Sequence, residues 1–302
     1  MDRVLVTGGL GFIGSLLCEA LLDEGARVRC VDDLSGAYAS TTGPAAAARL
    51  AARGAELLVA SAHPRHVGGV DAVMHLAGRP GVRNARSVGE LHAANVAPAE
   101  RLAAAAARTG ARFLLVSSSS VYGNAAELPT PEHAPPAPLN RYAASKVAAE
   151  AAVFARGGDP VVVRPFTVYG PGQRPDMAFA CWIAALRAGD AIPWYAAPRT
   201  ARDFTFVDDA VAGLMAALRQ GRAGEAYNVS GGRPVPLTEA LALLAGGEPV
   251  ELDELPLSGG EALVTSGCGR KALAELGHAP RAGLEAGLVR QLSAARPGLL
   301  AS

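Results

Sequence analysis

The chain has few aromatic residues, only four cysteines and no excess of charge of either sign. Each shortage excludes something. Cys18, Cys30, Cys181 and Cys268 lie far apart with no CxxC pair, which argues against a zinc site or a disulfide framework and for free thiols in a reducing compartment. The 28 Lys and Arg balance 28 Asp and Glu, so the basic excess of a nucleic-acid-binding protein is missing. No uninterrupted apolar run approaches a membrane span. The opening Met1-Asp2-Arg3-Val4-Leu5-Val6-Thr7-Gly8 lacks the layout of a signal peptide. A soluble, cytoplasmic chain with no nucleic-acid or membrane partner is the expectation. Half of the 302 residues are hydrophobic, which is ample for a large buried core.

Residues 3–7, 27–31, 56–60, 72–76, 112–117 and 161–164 are brief and rich in Val and Leu, as strands are. Between most of them, 13–24, 90–108 and 141–156 carry apolar residues at helical spacing. Strand–helix alternation predicts parallel strands joined by right-handed crossovers, an α/β doubly wound sheet. The alanine run 45–48 favours helix without defining one. After about residue 165 the rhythm breaks on Pro171, Gly172, Pro175, Pro193 and Pro198, although 206–218 and 237–245 still read as helices. This predicts a first domain over 1–165 and a smaller lobe over 166–302, interleaved so that some segments return to the first domain.

Thr7-Gly8-Gly9-Leu10-Gly11-Phe12-Ile13-Gly14 follows the first strand and opens a helix. Gly8, Gly11 and Gly14 let the backbone turn tightly, approach a pyrophosphate and pack the helix on the sheet, and the helix N-terminus offers N–H groups to phosphates. Asp32 ends the second strand, about 20 residues on, where an acid accepts hydrogen bonds from a ribose and repels a 2′-phosphate. That favours NAD over NADP. The neighbouring Asp33 can share the role.

Tyr142 and Lys146 stand four apart at the start of a helical pattern, which puts both on one face. A phenol with a reference pKa of about 10 is a poor base at neutral pH. A neighbouring ammonium and the positive nicotinamide of an oxidised cofactor bring it within range. The serine run 117–120 follows the strand over 112–116 and so lies at a strand's carboxyl end, where open α/β sheets bind ligands. Its hydroxyls can share a substrate oxygen with Tyr142.

With the glycine turn, Asp32, the serines before Val121-Tyr122-Gly123 and Tyr142-Ala143-Ala144-Ser145-Lys146 in order, the chain resembles the extended short-chain dehydrogenase/reductase family. Within it the chain is most like the NAD-dependent nucleotide-sugar epimerases and dehydratases. His75-Leu76-Ala77-Gly78, Asn95, the stretch from Arg164 to Gly172 and the stretch from Arg202 to Asp209 match further blocks. The resemblance implies a Rossmann domain that binds NAD and a smaller lobe that holds a UDP-sugar. It implies Ser118, Tyr142 and Lys146 as the catalytic set. It also implies Gly8, Gly11, Phe12, Ile13, Gly14, Asp32, Asp33, Leu76, Ala77, Gly78, Asn95, Ser117 and Pro165 around NAD. Arg202 matches an arginine that contacts the nucleotide diphosphate, and Glu261 an acid that meets the uridine ribose. A homodimer through helices near 90–108 and 141–156 is implied as well.

Subclass rests on what is absent. The family's sugar 4,6-dehydratases carry Asp-Glu after the catalytic Ser/Thr, and its glucuronate decarboxylases a glutamate; here these positions hold Ser119 and Ser120. Epimerisation at C4 is what the remaining residues can perform. Ser118, Ser119, Ser120, Thr167, Arg174 and Arg83 resemble the UDP-glucuronate 4-epimerases, with UDP-glucose, UDP-galactose or an N-acetylhexosamine as alternative substrates. A dehydratase or reductase and a non-catalytic NAD-binding regulator are the other readings. The family's acid after the third strand is missing from Ala60-Ser61-Ala62-His63, which implies looser NAD. His63, His66, His92, His133 and His278 have no ligand spacing and are expected at the surface, and no metal is expected.

Overall fold

The computed structural model describes residues 1–35, 42–81, 86–158, 160–195, 199–256 and 260–294. The chain opens with β1 (Arg3–Thr7), α1 (Phe12–Asp23), β2 (Arg27–Asp32), α2 (Thr42–Ala52), β3 (Glu56–Val59) and β4 (Ala72–His75). Next, α3 (Val88–Leu91) runs through a π turn (His92–Val96) into α4 (Ala97–Thr109), followed by β5 (Arg112–Val116), α5 (Arg141–Ala155) and β6 (Pro160–Pro165). After these come β7 (Thr167–Tyr169), α6 (Ala178–Ala188), β8 (Ile192–Trp194), β9 (Ala201–Phe206) and α7 (Val207–Gln220). The chain then makes β10 (Ala226–Val229), β11 (Pro234–Pro236), α8 (Leu237–Leu244), β12 (Leu252–Glu254), α9 (Arg270–Leu276) and α10 (Leu284–Ala294).

Seven parallel strands form the central sheet in the order β10-β6-β5-β4-β1-β2-β3. Strand alternation loads both faces. Val4 and Val6 of β1, with Leu114 and Val116 of β5, join Leu17, Cys18 and Leu21 of α1 and Leu214 and Leu218 of α7 on one side. Leu5, Phe113 and Leu115 join Ala99, Leu102 and Ala106 of α4 and Ala149 and Val153 of α5 on the other. Two buried faces explain why these strands read as near-continuous apolar runs. The alanines that blur the helical period let α4 approach the sheet closely, and Gly110, at φ 73°, ends it.

Strand β10 comes from far down the chain and pairs with β6, so the late segments re-enter the main sheet. Outside it, β9 lies between β7 and β11, and β12 pairs with β8. Several of the scarce aromatics pack together here. Tyr169 packs edge-on to Phe179 at 5.4 Å, Phe179 stacks on Phe204 at 4.7 Å, and Trp182 on Trp194 at 5.6 Å.

Some expectations need correction. Residues 45–48 belong to a full helix, α2, whose Ala46 and Leu50 are buried. The helix expected over 90–108 is interrupted by the π turn around Asn95. His66 and His278 are buried, at 6% and 8% exposure, rather than at the surface. His66 is drawn in by a 3-10 turn in which His63 and His66 cap each other, and burial lowers its pKa. His278 packs its Nε2 against Gly213 of α7, in a space that any larger residue at 213 would fill. Among the described residues no helix is long and apolar enough to cross a membrane.

The turn from β1 into α1 depends on glycine. Gly8 has φ 70°, and a Cβ on it would stand 2.7 Å from the Ala77 nitrogen. A Cβ on Gly14 would stand 2.1 Å from the Gly8 oxygen. Gly14→Ala is therefore expected to cost about 1–3 kcal/mol by overpacking. Gly89→Ala, in α3 with nothing within 4 Å, is expected to be neutral or to add up to about 1 kcal/mol. Thermal unfolding of the two variants checks the contrast; equal melting temperatures would contradict it.

Candidate active site

In a doubly wound sheet the ligand crevice opens where neighbouring strands lead their crossovers to opposite sides. Here that point lies between β1 and β4, because β1 pairs with β2 on one edge and with β4 on the other. A cleft of about 640 Å³ runs from it across the carboxyl ends of β4, β5 and β6 to the smaller lobe. Gly8, Gly11, Phe12, Ile13, Gly14, Leu76, Ala77, Gly78, Ser117, Tyr142, Lys146 and Pro165 line its sheet side, and Ser118, Ser119, Ser120, Thr167, Arg174, Arg202 and Glu261 face them. A smaller cavity of about 490 Å³ adjoins it and is lined by Gly8, Asp32, Asp33, Ser61, Ala77, Gly78 and Arg79. Arg83 lies outside the described residues.

Helix α5 carries the reactive face. Asn140 caps its start by accepting from the Ala143 N–H at 2.8 Å, which puts Tyr142 in the first turn. Lys146 follows one turn later and donates from Nζ to the Val116 carbonyl at 2.9 Å. Burial lowers its pKa to about 8, against the pull of Glu150, the next residue on that face. Burial pushes the Tyr142 phenol up, while a hydrogen bond with Ser118 and the charge of Arg174 pull it down. The Ser118 hydroxyl accepts from Ser120 N–H at 3.2 Å and from Ser120 Oγ at 2.9 Å, which leaves its own proton to give to a phenolate.

Behind Lys146 lies a buried network that the sequence reading did not single out. Glu150 is ion-paired to Arg164 at 2.6 Å and accepts from the Ser117 hydroxyl. Arg164 also donates to the Tyr122 hydroxyl at 2.8 Å and to the Glu132 carbonyl at 2.9 Å, and Tyr122 donates to Asn228 Oδ1 at 2.8 Å. Ser117, expected beside the cofactor, thus spends its proton on this network. The signal was present: Glu150 stands four residues after Lys146, as Lys146 does after Tyr142.

The carboxylates of the cleft are similarly tied. Arg174 holds Asp176 through Nε at 2.9 Å and Nη2 at 3.3 Å, and Arg202 lies 3.3 Å from Glu261. At the other end, Asp32 accepts from Leu10 N–H at 3.0 Å and Leu34 N–H at 2.9 Å, which ties β2 to the glycine turn. The Asn95 amide faces the backbone of Arg79, accepting from its N–H at 2.6 Å and donating to its carbonyl at 3.2 Å, and donates to Ser145 Oγ at 2.8 Å. His75 bonds Thr7 Oγ1 through Nδ1 at 2.6 Å, and burial drops its pKa to about 3, so it is neutral.

These residues fit NAD. Gly8 stands so close to Ala77 that a Cβ on it would clash, Gly11 brings no side chain to cap α1, and Gly11, Phe12, Ile13 and Gly14 at the start of α1 line the cleft. Fold and site together define a dinucleotide-dependent enzyme of the Rossmann type. The profile of the NAD dependent epimerase/dehydratase family matches residues 4–230. An uncharacterized UDP-glucose epimerase of Bacillus subtilis is 33% identical over 80% of this chain and 81% of its own length. A dTDP-glucose 4,6-dehydratase of Streptomyces griseus is 32% identical over 80% of this chain and 77% of its own. The crystal structure of the UDP-glucuronic acid 4-epimerase from Bacillus cereus with UDP-glucuronic acid and NAD superposes with a TM-score of 0.91 at 29% identity, covering 97% of this chain and 98% of that one. The chain belongs to the NAD-dependent epimerase/dehydratase family, within the extended short-chain dehydrogenases/reductases, and its cofactor is NAD.

The Lys146 ammonium persists below its pKa of about 8 and is lost above it. Turnover is therefore expected to decline as pH rises through about 8. Glu150→Gln, which removes the carboxylate favouring the ammonium, is expected to move that decline to lower pH. A pH–rate profile checks both, and an alkaline limb indifferent to residue 150 would contradict the coupling.

Proposed function

We propose that this enzyme inverts C4 of a UDP-sugar, with UDP-glucuronate as the substrate the cleft suits best. One observation carries the reading. Among the described residues the cleft's only carboxylates are Asp176 and Glu261, each held by an arginine, and the face around Tyr142 is built of hydroxyls. Dehydration or decarboxylation needs an acid–base group beside carbons 5 and 6, and Ser119 and Ser120 cannot serve. Reversible oxidation at C4 needs only a base for the hydroxyl proton.

Tyr142 is that base. As a phenolate it takes the 4-hydroxyl proton, and Ser118 shares the same oxygen through its own hydrogen bond. Lys146 holds a positive charge on the same helix face, one turn from the phenol. NAD, when bound, would supply reversible hydride acceptance at C4. The 4-keto sugar turns about its diphosphate link to offer its other face, and Tyr142 gives the proton back. Arg202 and Glu261 suit the diphosphate and ribose of the nucleotide. Thr167, Ser119, Ser120 and Arg174 suit a C6 carboxylate, with Asp176 tempering the arginine's charge. We extend the reading to a homodimer through α4 and α5, whose Ala107, Ala144, Ala148 and Ala151 are exposed; sedimentation as a single chain would remove that part.

The test is to incubate the protein separately with UDP-glucuronate, UDP-glucose and UDP-N-acetylglucosamine and to follow C4 by NMR. Inversion of UDP-glucuronate is expected, and Tyr142→Phe is expected to abolish it while leaving NAD bound. Inversion of UDP-glucose alone would move the substrate assignment to a neutral hexose. A keto-deoxy sugar in place of inversion would overturn the epimerase reading.

A further inference from the structure

Arg79 is a cation that the chemistry above does not use, and it occupies an unusual place. It lines both cavities, so it stands at the boundary between the adenosine-side pocket and the main cleft. Its Nη2 lies 4.0 Å from Asp33 Oδ2. Asp33 follows β2 and Arg79 follows β4, the two neighbours of β1, so this ion pair spans the crevice in front of the glycine turn.

Both ends of the span are anchored. The Arg79 peptide groups are gripped by the Asn95 amide, accepting at 2.6 Å and donating at 3.2 Å. A Cβ on Gly78 would stand 2.8 Å from Asn95 Oδ1, so only glycine permits that grip. Asn95 sits in the π turn, and its third hydrogen bond, to Ser145, fastens it to α5. Across the crevice, Asp33 accepts from Ser35 N–H at 3.0 Å and from Ser61 Oγ at 3.5 Å, which ties it to the segment after β3.

We propose that Arg79 and Asp33 form a strap across the adenosine end of the cofactor groove that keeps NAD from leaving. The chemistry suits the two halves. A guanidinium offers several N–H donors and a permanent charge to a pyrophosphate–ribose segment, and a carboxylate accepts from ribose hydroxyls. To let a dinucleotide out, the ion pair must separate, while the Arg79 backbone stays gripped by Asn95 and the Asp33 carboxylate stays held by Ser35. The strap therefore acts on release rather than on the reaction at C4. It requires only that NAD bind in this groove, so it stands whichever sugar is turned over.

The experiment measures release of reduced cofactor from the loaded protein, by loss of its fluorescence on mixing with excess NAD. Arg79→Gln is expected to speed release by about tenfold, the scale of one charge-assisted contact. Asp33→Asn is expected to speed it as well. Because the two residues act as one strap, the double variant is expected to release cofactor little faster than the faster single variant. Added salt is expected to accelerate release from the parent protein more than from Arg79→Gln. Thermal unfolding of the cofactor-free forms checks that all three variants fold; if Arg79→Gln does not, Arg79→Lys, expected to hold NAD better than Asp33→Asn does, takes its place. Release unchanged in the Arg79 variant, or single effects that multiply in the double variant, would overturn the strap.

Discussion

A lysine ammonium buried under the carboxyl end of β5 is the constraint around which this site is arranged. Burying a charge is expensive unless it is paired and hydrogen-bonded. Lys146 meets that demand with the Val116 carbonyl in front and Glu150 one turn behind on α5. Glu150 is itself buried and is compensated by Arg164, whose remaining donors go to Tyr122 and Glu132. Removing any one member strands a charge on another, which is the costly way to break such a group. The same network holds β6, the turn after β5 and α5 in one geometry, and α5 delivers Tyr142 to the cleft.

At the other side of the crevice the limiting quantity is space rather than charge. Gly8 and Gly14 let the first turn close with its backbone in contact with itself and with Ala77. Asp32 secures that turn from β2 through the Leu10 N–H. Asn95 performs a similar service for the turn after β4. The cofactor groove is thus walled by backbone whose positions side chains have already settled, which lowers the cost of ordering a long, flexible dinucleotide.

How much of this was legible in the sequence depended on range. The strands, the glycine turn and the spacing of Tyr142 and Lys146 are local patterns, and they appear where the pattern puts them. Arg164 and Glu150 each read as ordinary residues of a strand and a helix, because their partnership forms only when β6 packs under α5. Asn95 was expected at the cofactor; its amide faces Arg79 and Ser145, contacts made across turns that no local period reveals. His66 and His278 looked like surface residues because burial of a lone polar side chain leaves no periodic trace. Helix α6 escaped notice because its apolar residues follow proline-rich turns that obscure its start.

The chemistry proposed for the cleft needs a phenolate, yet burial alone holds the Tyr142 phenol above its ordinary value. The positive nicotinamide must therefore provide what Ser118, Arg174 and the neighbouring ammonium do not. Ultraviolet difference titration of the tyrosines, with and without NAD, reads this directly. The account predicts that one tyrosine ionises near neutral pH only in the NAD-loaded protein, and that Tyr142→Phe removes that signal. A loaded protein in which every tyrosine ionises at about 10 or above would contradict it.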